Sequence, residues 1–117
     1  MLTSNDLLEL EDEELLARLG VMTIGAEAVN RSGANYIDLA GRGRNWIDRN
    51  RQRLQDAICD NEQIRAIEGD KALEAATAAE VIGTWAFGTN GALIVATILV
   101  RAGLNEFCDD HQSATSS

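Results

Sequence analysis

The longest apolar pattern in the chain runs from Val81 to Val100, where no side chain carries a charge. Within it, Gly88-Thr89-Asn90-Gly91 is typical of a turn. We therefore predict two apposed helices, forming an apolar helical hairpin over residues 81–107. The second helix is expected from about Ala92 to Phe107, because apolar residues recur there at helical spacing. The members of that stripe are Leu93, Ala96, Val100, Leu104 and Phe107.

The beginning of the chain predicts an acidic helix. Leucines lie on one face of the segment Leu7–Gly20, and carboxylates near its start favour the positive end of a helix dipole. A fresh helix could start at Asp12. Gly20 is interpreted as the stop, because glycine commonly follows the last helical residue.

Two further helices are predicted in the middle of the chain. One runs from about Asn45 to Asp60, and the other is an alanine-rich helix from Lys71 to about Thr84. Asp70 is a suitable N-cap for the second helix. The first helix carries one apolar stripe at spacings of seven and four, formed by Ile47, Leu54 and Ile58.

Residues 21–40 are ambiguous, since Tyr36 to Leu39 could form a strand or a helical turn. No second strand pattern is available to pair with them, so we favour a helix from Val21 to Arg31, followed by a loop and a turn at Gly41-Arg42-Gly43. The chain contains no proline. We predict an all-α fold, a compact bundle of four to five helices over residues 1–110, followed by a polar tail over residues 111–117.

The formal net charge of −9 changes the range of possible partners. General nucleic-acid binding is not expected, because neutralising phosphates requires a surplus of Lys and Arg. Binding to anionic membrane surfaces is disfavoured for the same reason. A basic protein partner is compatible with this charge. Nine of the ten basic residues are Arg, a bias we associate with a GC-rich bacterial source.

Half of the basic charge is concentrated between residues 42 and 53. With Trp46 nearby, this stripe could contact phosphates or an RNA backbone. It could equally pair with the acidic first helix of the same chain or of another copy, and we favour this pairing because the whole chain is acidic. The residues of the arginine stripe are Arg42, Arg44, Arg49, Arg51 and Arg53.

No arrangement typical of an enzyme is present. The one histidine, His111, lies in the polar tail, and no metal, phosphate-loop or nucleophile motif occurs, so we predict neither a catalytic site nor a cofactor or metal. Glu80 could act as a partly buried acid or base, and Cys59 could act as a nucleophile, but a solvated carboxylate and a small core residue are the simpler interpretations. Cys59 and Cys108 could form one disulfide. No signal peptide is evident, so we expect a cytoplasmic protein with reduced thiols.

The uncharged stretch leaves two functional hypotheses. A continuous helix of this length covers about 30 Å and could reach across a bilayer, but Asn90 and three glycines make insertion marginal. We favour burial against a protein, which predicts a small subunit, adaptor or regulator of a larger bacterial assembly. We expect this protein to associate with itself, with a different protein partner as the other possibility. The alternative is a membrane-active hairpin. The predicted interface residues are Trp85, Phe87, Leu93, Ile94, Ile98, Leu104 and Phe107.

Overall fold

The computed structural model describes residues 7–25, 35–59, 61–67 and 69–109. These residues are mostly helical and contain no strand. Seven helices follow one another: α1 (Asp12–Ile24), α2 (Tyr36–Arg49), α3 (Arg51–Ile58), α4 (Glu62–Ala66), α5 (Lys71–Ile82), α6 (Gly88–Ala102) and α7 (Leu104–Phe107). The all-α prediction is confirmed. The predicted number of helices was too low, because α3, α4 and α7 are short. The tail 111–117 and His111 lie outside the described residues.

Side-chain caps explain where several helices begin. The Asn35 side chain accepts a hydrogen bond from the Asp38 amide at 2.9 Å and starts α2. Asn61 does the same for α4, and Asp70 accepts from the Leu73 amide at 3.1 Å to start α5. Each cap satisfies an amide that would otherwise have no partner in the helix. The predicted cap at Asp70 is confirmed.

The helices α1 and α2 lie in direct backbone contact, and two glycines make this possible. A Cβ atom added at Gly20 would lie within 3.0 Å of the Leu39 carbonyl, and one added at Gly43 would lie within 3.0 Å of the Leu16 carbonyl. The predicted stop at Gly20 and the predicted turn at Gly41-Arg42-Gly43 are therefore wrong. Both glycine positions lie inside helices, where the missing side chain allows close packing.

The uncharged stretch is divided at a different place from the one expected. Gly88 is the first residue of α6, so Gly88-Thr89-Asn90-Gly91 is helical, and the turn lies at 83–87. This turn uses left-handed backbone at both ends, with a φ of 82° at Gly83 and 64° at Phe87. Gly91 lies against the Ala86 carbonyl, so the turn packs closely onto the first turn of α6.

One hydrophobic core joins all the longer helices. The predicted stripe of Ile47, Leu54 and Ile58 is buried in it, as are Leu15 and Leu19 of α1. In the core α1 contacts both α2 and α6, while α5 packs along α6. Arg101 attaches the end of α6 to the start of the chain, because its guanidinium donates to the carbonyls of Leu8 and Leu10 and pairs with Asp12 at 2.8 Å.

Candidate functional site

The turn between α5 and α6 presents an aromatic corner, formed by Trp46, Trp85 and Phe87. Trp46 is a buried residue of α2, and its ring stacks on that of Trp85 with centroids 5.6 Å apart and planes inclined by 27°. Its ring centroid also lies 5.3 Å from that of Phe87. Such pairs add about 0.5–1.5 kcal/mol to the burial of their area. The aromatic corner therefore fixes the turn against α2, while Phe87 remains 38% exposed.

Two arginines of the predicted stripe lie over aromatic rings of the same chain. The Arg53 Cζ atom is 3.8 Å from the centroid of the Trp85 ring, and the Arg51 Cζ atom is 4.9 Å from that of Phe107. Arg51 also donates to the Phe107 carbonyl at 3.3 Å. A cation over a ring contributes about 0.5–1 kcal/mol at an exposed site. These two arginines therefore hold α3 against the turn and against α7.

The other three arginines of the stripe lie on α2. Arg44 pairs with Glu13 of α1 at 2.8 Å, as the pairing hypothesis predicts for the acidic first helix. Both side chains are about half exposed, so the pair adds little stability. Arg42 and Arg49 line a shallow cavity of about 480 Å³ together with Thr23, Ile24, Asn45 and Asp48. The stripe is thus divided among three environments and does not form one continuous basic surface.

The acidic first turns of α1 influence the start of α2. Tyr36, which is the first residue of α2, has a pKa raised above its ordinary value. Desolvation is the first cause, and the negative charge of Glu14 is the second, followed by Glu11 and Glu13. An electrostatic field that disfavours the phenolate is expected where carboxylates outnumber cations.

The predicted interface residues separate into two groups. Phe87 is exposed, and Trp85, Leu93, Ile98 and Leu104 are half-buried, so each of these can contribute to a surface. Ile94 and Phe107 are only 1% and 6% exposed and belong to the core. A stripe drawn on an isolated helix cannot show which part of it the other helices cover, and here they cover these two residues.

A groove of about 530 Å³ runs between α5 and α6. Small side chains form most of its walls, and Leu93 is its largest apolar residue. Glu80 is its only ionisable residue and is exposed at the rim, so the structure does not supply the burial on which its proposed acid–base role depended. The lining residues are Ala76, Ala79, Glu80, Gly83, Thr84, Thr89, Ala92 and Leu93.

A second cavity, of about 420 Å³, lies where α4, the start of α5 and the chain around α7 meet. A disulfide between Cys59 and Cys108 connects the end of α3 to the end of α7 beside this cavity. The expectation that both thiols are reduced is therefore wrong for this structure. Cys59 is consequently not available as a nucleophile.

Comparisons with known proteins assign no family. The chain matches no protein-family model, no curated protein and no solved structure. Within the described residues, no helix combines the length and apolar character that crossing a membrane requires. Across those same residues, no group of three or more His, Cys, Asp or Glu side chains is placed to hold a metal ion.

Sequence reasoning missed one feature, Glu74. It lies on α5, is only 7% exposed, and lines the cavity beside the disulfide. Its position gives a weak signal, because it falls among alanines in a helix that packs against an apolar neighbour. An alanine-rich sequence does not reveal which face is covered, so Glu74 resembles an ordinary first-turn carboxylate of a helix.

Proposed function

We propose that this protein is a non-enzymatic helical interaction module, a small subunit or adaptor of a larger bacterial assembly. In this proposal α5 and α6 act as an apolar hairpin whose groove binds an amphipathic helix of a basic partner protein. The observation that carries the proposal is the open groove of about 530 Å³ with small, mostly uncharged walls. A volume in this range can receive the side chains of a docked segment.

The shape of the surface supports a helix as the occupant. Ala76 and Ala79 leave room for close approach, and Leu93 offers an apolar contact on the opposite wall. Leu73, 47% exposed, lies one turn before Ala76 on α5 and extends the apolar surface along the groove. Amphipathic helices bind such grooves through anchors repeated every three to four residues.

The charge distribution supports a basic partner rather than a second copy. Glu80 is the only ionisable residue in the groove, and the chain has a net charge of −9. Two copies with this charge repel each other at long range, whereas a basic helix is attracted and is held at the rim by Glu80. Self-association, which the sequence also suggested, is an outcome that the experiment below distinguishes.

The experiment titrates the full chain with a synthetic amphipathic helix of about 15 residues, the shortest length that is helical in water. One peptide carries Leu on one face and Lys on the other, and the control peptide replaces every Lys with Glu. Trp85 lies two residues after Gly83, which lines the groove, so we use tryptophan fluorescence to follow binding. We expect saturable binding of the Leu/Lys peptide and none of the Leu/Glu peptide.

Three variants separate groove binding from general attraction to an acidic protein. Ala76→Phe fills the groove and is expected to weaken binding at least about tenfold. Glu80→Lys is expected to weaken it about fivefold or more. The matched control, Glu9→Lys, makes the same change in charge away from the groove. Glu9 is next to Leu8, whose carbonyl binds Arg101, and Arg101 lies about 12 Å from Leu93 along α6. This variant is expected to have a much smaller effect on binding.

Several results would overturn the proposal. Equal effects of Glu80→Lys and Glu9→Lys would show that only net charge matters. Binding that survives Ala76→Phe would place the peptide elsewhere. Dimers of the original protein that are lost in Ala76→Phe would favour self-association. Binding to neutral lipid vesicles instead of the peptide would favour the membrane hypothesis. Salt-sensitive RNA binding lost in Arg42→Gln/Arg49→Gln would favour the nucleic-acid hypothesis.

A location in the cytoplasm remains a prediction. The Cys59–Cys108 disulfide weighs against it, because structural disulfides persist mainly in oxidising compartments. Alkylation of free thiols in intact cells, followed by mass measurement of the protein, would decide between the reduced and oxidised forms.

A further inference from the structure

The cavity beside the disulfide is lined by a mostly buried glutamate whose carboxylate has no partner among the described residues. Glu74 is more than nine-tenths buried and lines this cavity of about 420 Å³. Its side chain forms no hydrogen bond or ion pair in the structure. Among the described residues, every fully buried side-chain oxygen has a hydrogen-bond partner. Because the Glu74 oxygens have none, they are not fully buried and are open to the cavity that the residue lines.

Two cationic residues that line the cavity donate hydrogen bonds to backbone carbonyls. The Lys71 ammonium donates to the Val100 carbonyl at 3.4 Å, and the Arg65 guanidinium donates to the Cys59 carbonyl at 3.1 Å. Both residues line the cavity, as does the exposed carboxylate of Glu106. Neither donation is made to Glu74, so its carboxylate is accessible to a ligand that enters the cavity.

Physical chemistry narrows the class of ligand. A carboxylate on a mostly buried side chain has lost part of its hydration, and a cation that donates hydrogen bonds to it recovers part of that cost. The end of α6 adds negative partial charge on the same side, because Ala102 and Gly103 line the cavity at the C-terminus of the helix. A carboxylate has two oxygens. A calcium ion takes about six to eight oxygen ligands, whereas an ammonium group has about three hydrogen bonds to donate and is therefore the closer match.

We propose that the cavity lined by Glu74 binds a small organic compound that carries a primary ammonium group. The ammonium donates to the Glu74 carboxylate, and the apolar part of the ligand contacts Ile58, Ile64 and Leu104. The volume is suited to a short alkyl amine or an amino-acid-like molecule. Lys71, which lines the same cavity, provides a place for a carboxylate at the other end of the ligand.

Isothermal titration of the full chain under oxidising conditions tests this site with four compounds of equal chain length. These probes are n-butylamine, 1,4-diaminobutane, 4-aminobutyrate and butyrate. We expect the three amines to bind and butyrate, which lacks the ammonium group, not to bind. Tighter binding of 4-aminobutyrate than of 1,4-diaminobutane identifies a zwitterion as the preferred ligand, and the reverse order identifies a polyamine.

Two variants locate the binding. Glu74→Gln keeps the size of the side chain and removes its charge. It is expected to weaken the binding of the amines at least about tenfold, because a charge-assisted hydrogen bond is lost. Glu106→Gln removes an exposed carboxylate from the same cavity and is expected to change affinity by less than about threefold. A Glu74→Gln protein that binds the amines as the original protein does would overturn the proposal.

A measurement on the unaltered protein covers the case in which Glu74→Gln does not fold. Amide chemical shifts of the ¹⁵N-labelled protein are recorded during titration with n-butylamine. We expect the moving amides to cluster at residues 71–74 and 102–108. No saturable shift in these segments, or equal shifts with butyrate, would refute the proposal.

Discussion

The contact between α1 and α2 gives the clearest quantitative prediction. In Gly43→Ala, the new Cβ atom would lie within 3.0 Å of the Leu16 carbonyl, which belongs to the backbone and cannot rotate away. The helices must separate, and overpacking of this kind costs about 1–3 kcal/mol. The higher helix propensity of alanine returns about 0.5–1 kcal/mol. We expect a net loss of about 1 kcal/mol, or a melting temperature lower by about 5 °C.

Gly41→Ala is the matched control in the same helix. Outside the local backbone of its own helix, no atom of the described residues lies within 4 Å of a Cβ added there. Only the gain in helix propensity remains, so we expect this variant to be more stable by about 0.5–1 kcal/mol. Urea denaturation followed by circular dichroism measures both variants. A Gly43→Ala protein as stable as Gly41→Ala would refute the close approach of α1 and α2.

The opposite side of the same crossing provides an independent check. Gly20→Ala introduces a similar clash with the Leu39 carbonyl. Because one separation of the helices relieves both clashes, the double variant Gly20→Ala/Gly43→Ala is expected to lose less stability than the sum of the single variants. Strict additivity would show that the two glycines act at separate places.

Two further predictions concern the disulfide and the electrostatic field of α1. Cys59 and Cys108 are 49 residues apart, so reduction of their disulfide is expected to lower the free energy of unfolding by about 4 kcal/mol, the entropy cost of closing a loop of that length. Urea denaturation with and without reductant measures this difference, and an unchanged midpoint would contradict it. Glu14→Gln removes a negative charge that raises the pKa of Tyr36, so we expect the pKa of Tyr36 to fall. Tyr36 is the only tyrosine in the sequence, so an absorbance titration measures its pKa directly, and an unchanged pKa would contradict this prediction.

Helical periodicity predicted the fold class and much of the core. The stripe on α2 and α3 is buried, and Asp70 caps α5, because these features depend on residues three to seven positions apart. The glycines were misinterpreted for the opposite reason. Glycine is common at helix ends, but the role of Gly20 and Gly43 is set by the backbone of Leu39 and Leu16, which lie 19 and 27 residues away in sequence.

The candidate sites depend still more on tertiary structure. Trp85 and Phe87 were predicted as contact residues, but their ring contacts with Trp46 require the turn at 83–87, which lacks the usual turn dipeptides. Glu74 likewise lines a cavity with residues of α6 and α7, which only the folded chain brings together. Residue types alone indicate which chemistry is available, whereas exposure is decided by the helices that cover each face.

The central claim is that a basic amphipathic helix binds in the groove between α5 and α6. Amide chemical shifts of the ¹⁵N-labelled protein, recorded during titration with the Leu/Lys peptide, test it most directly. We predict that the shifts cluster on the groove, at Ala76, Ala79, Gly83, Thr89 and Leu93. Shifts spread over the acidic face of α1, with none in the groove, would contradict the claim.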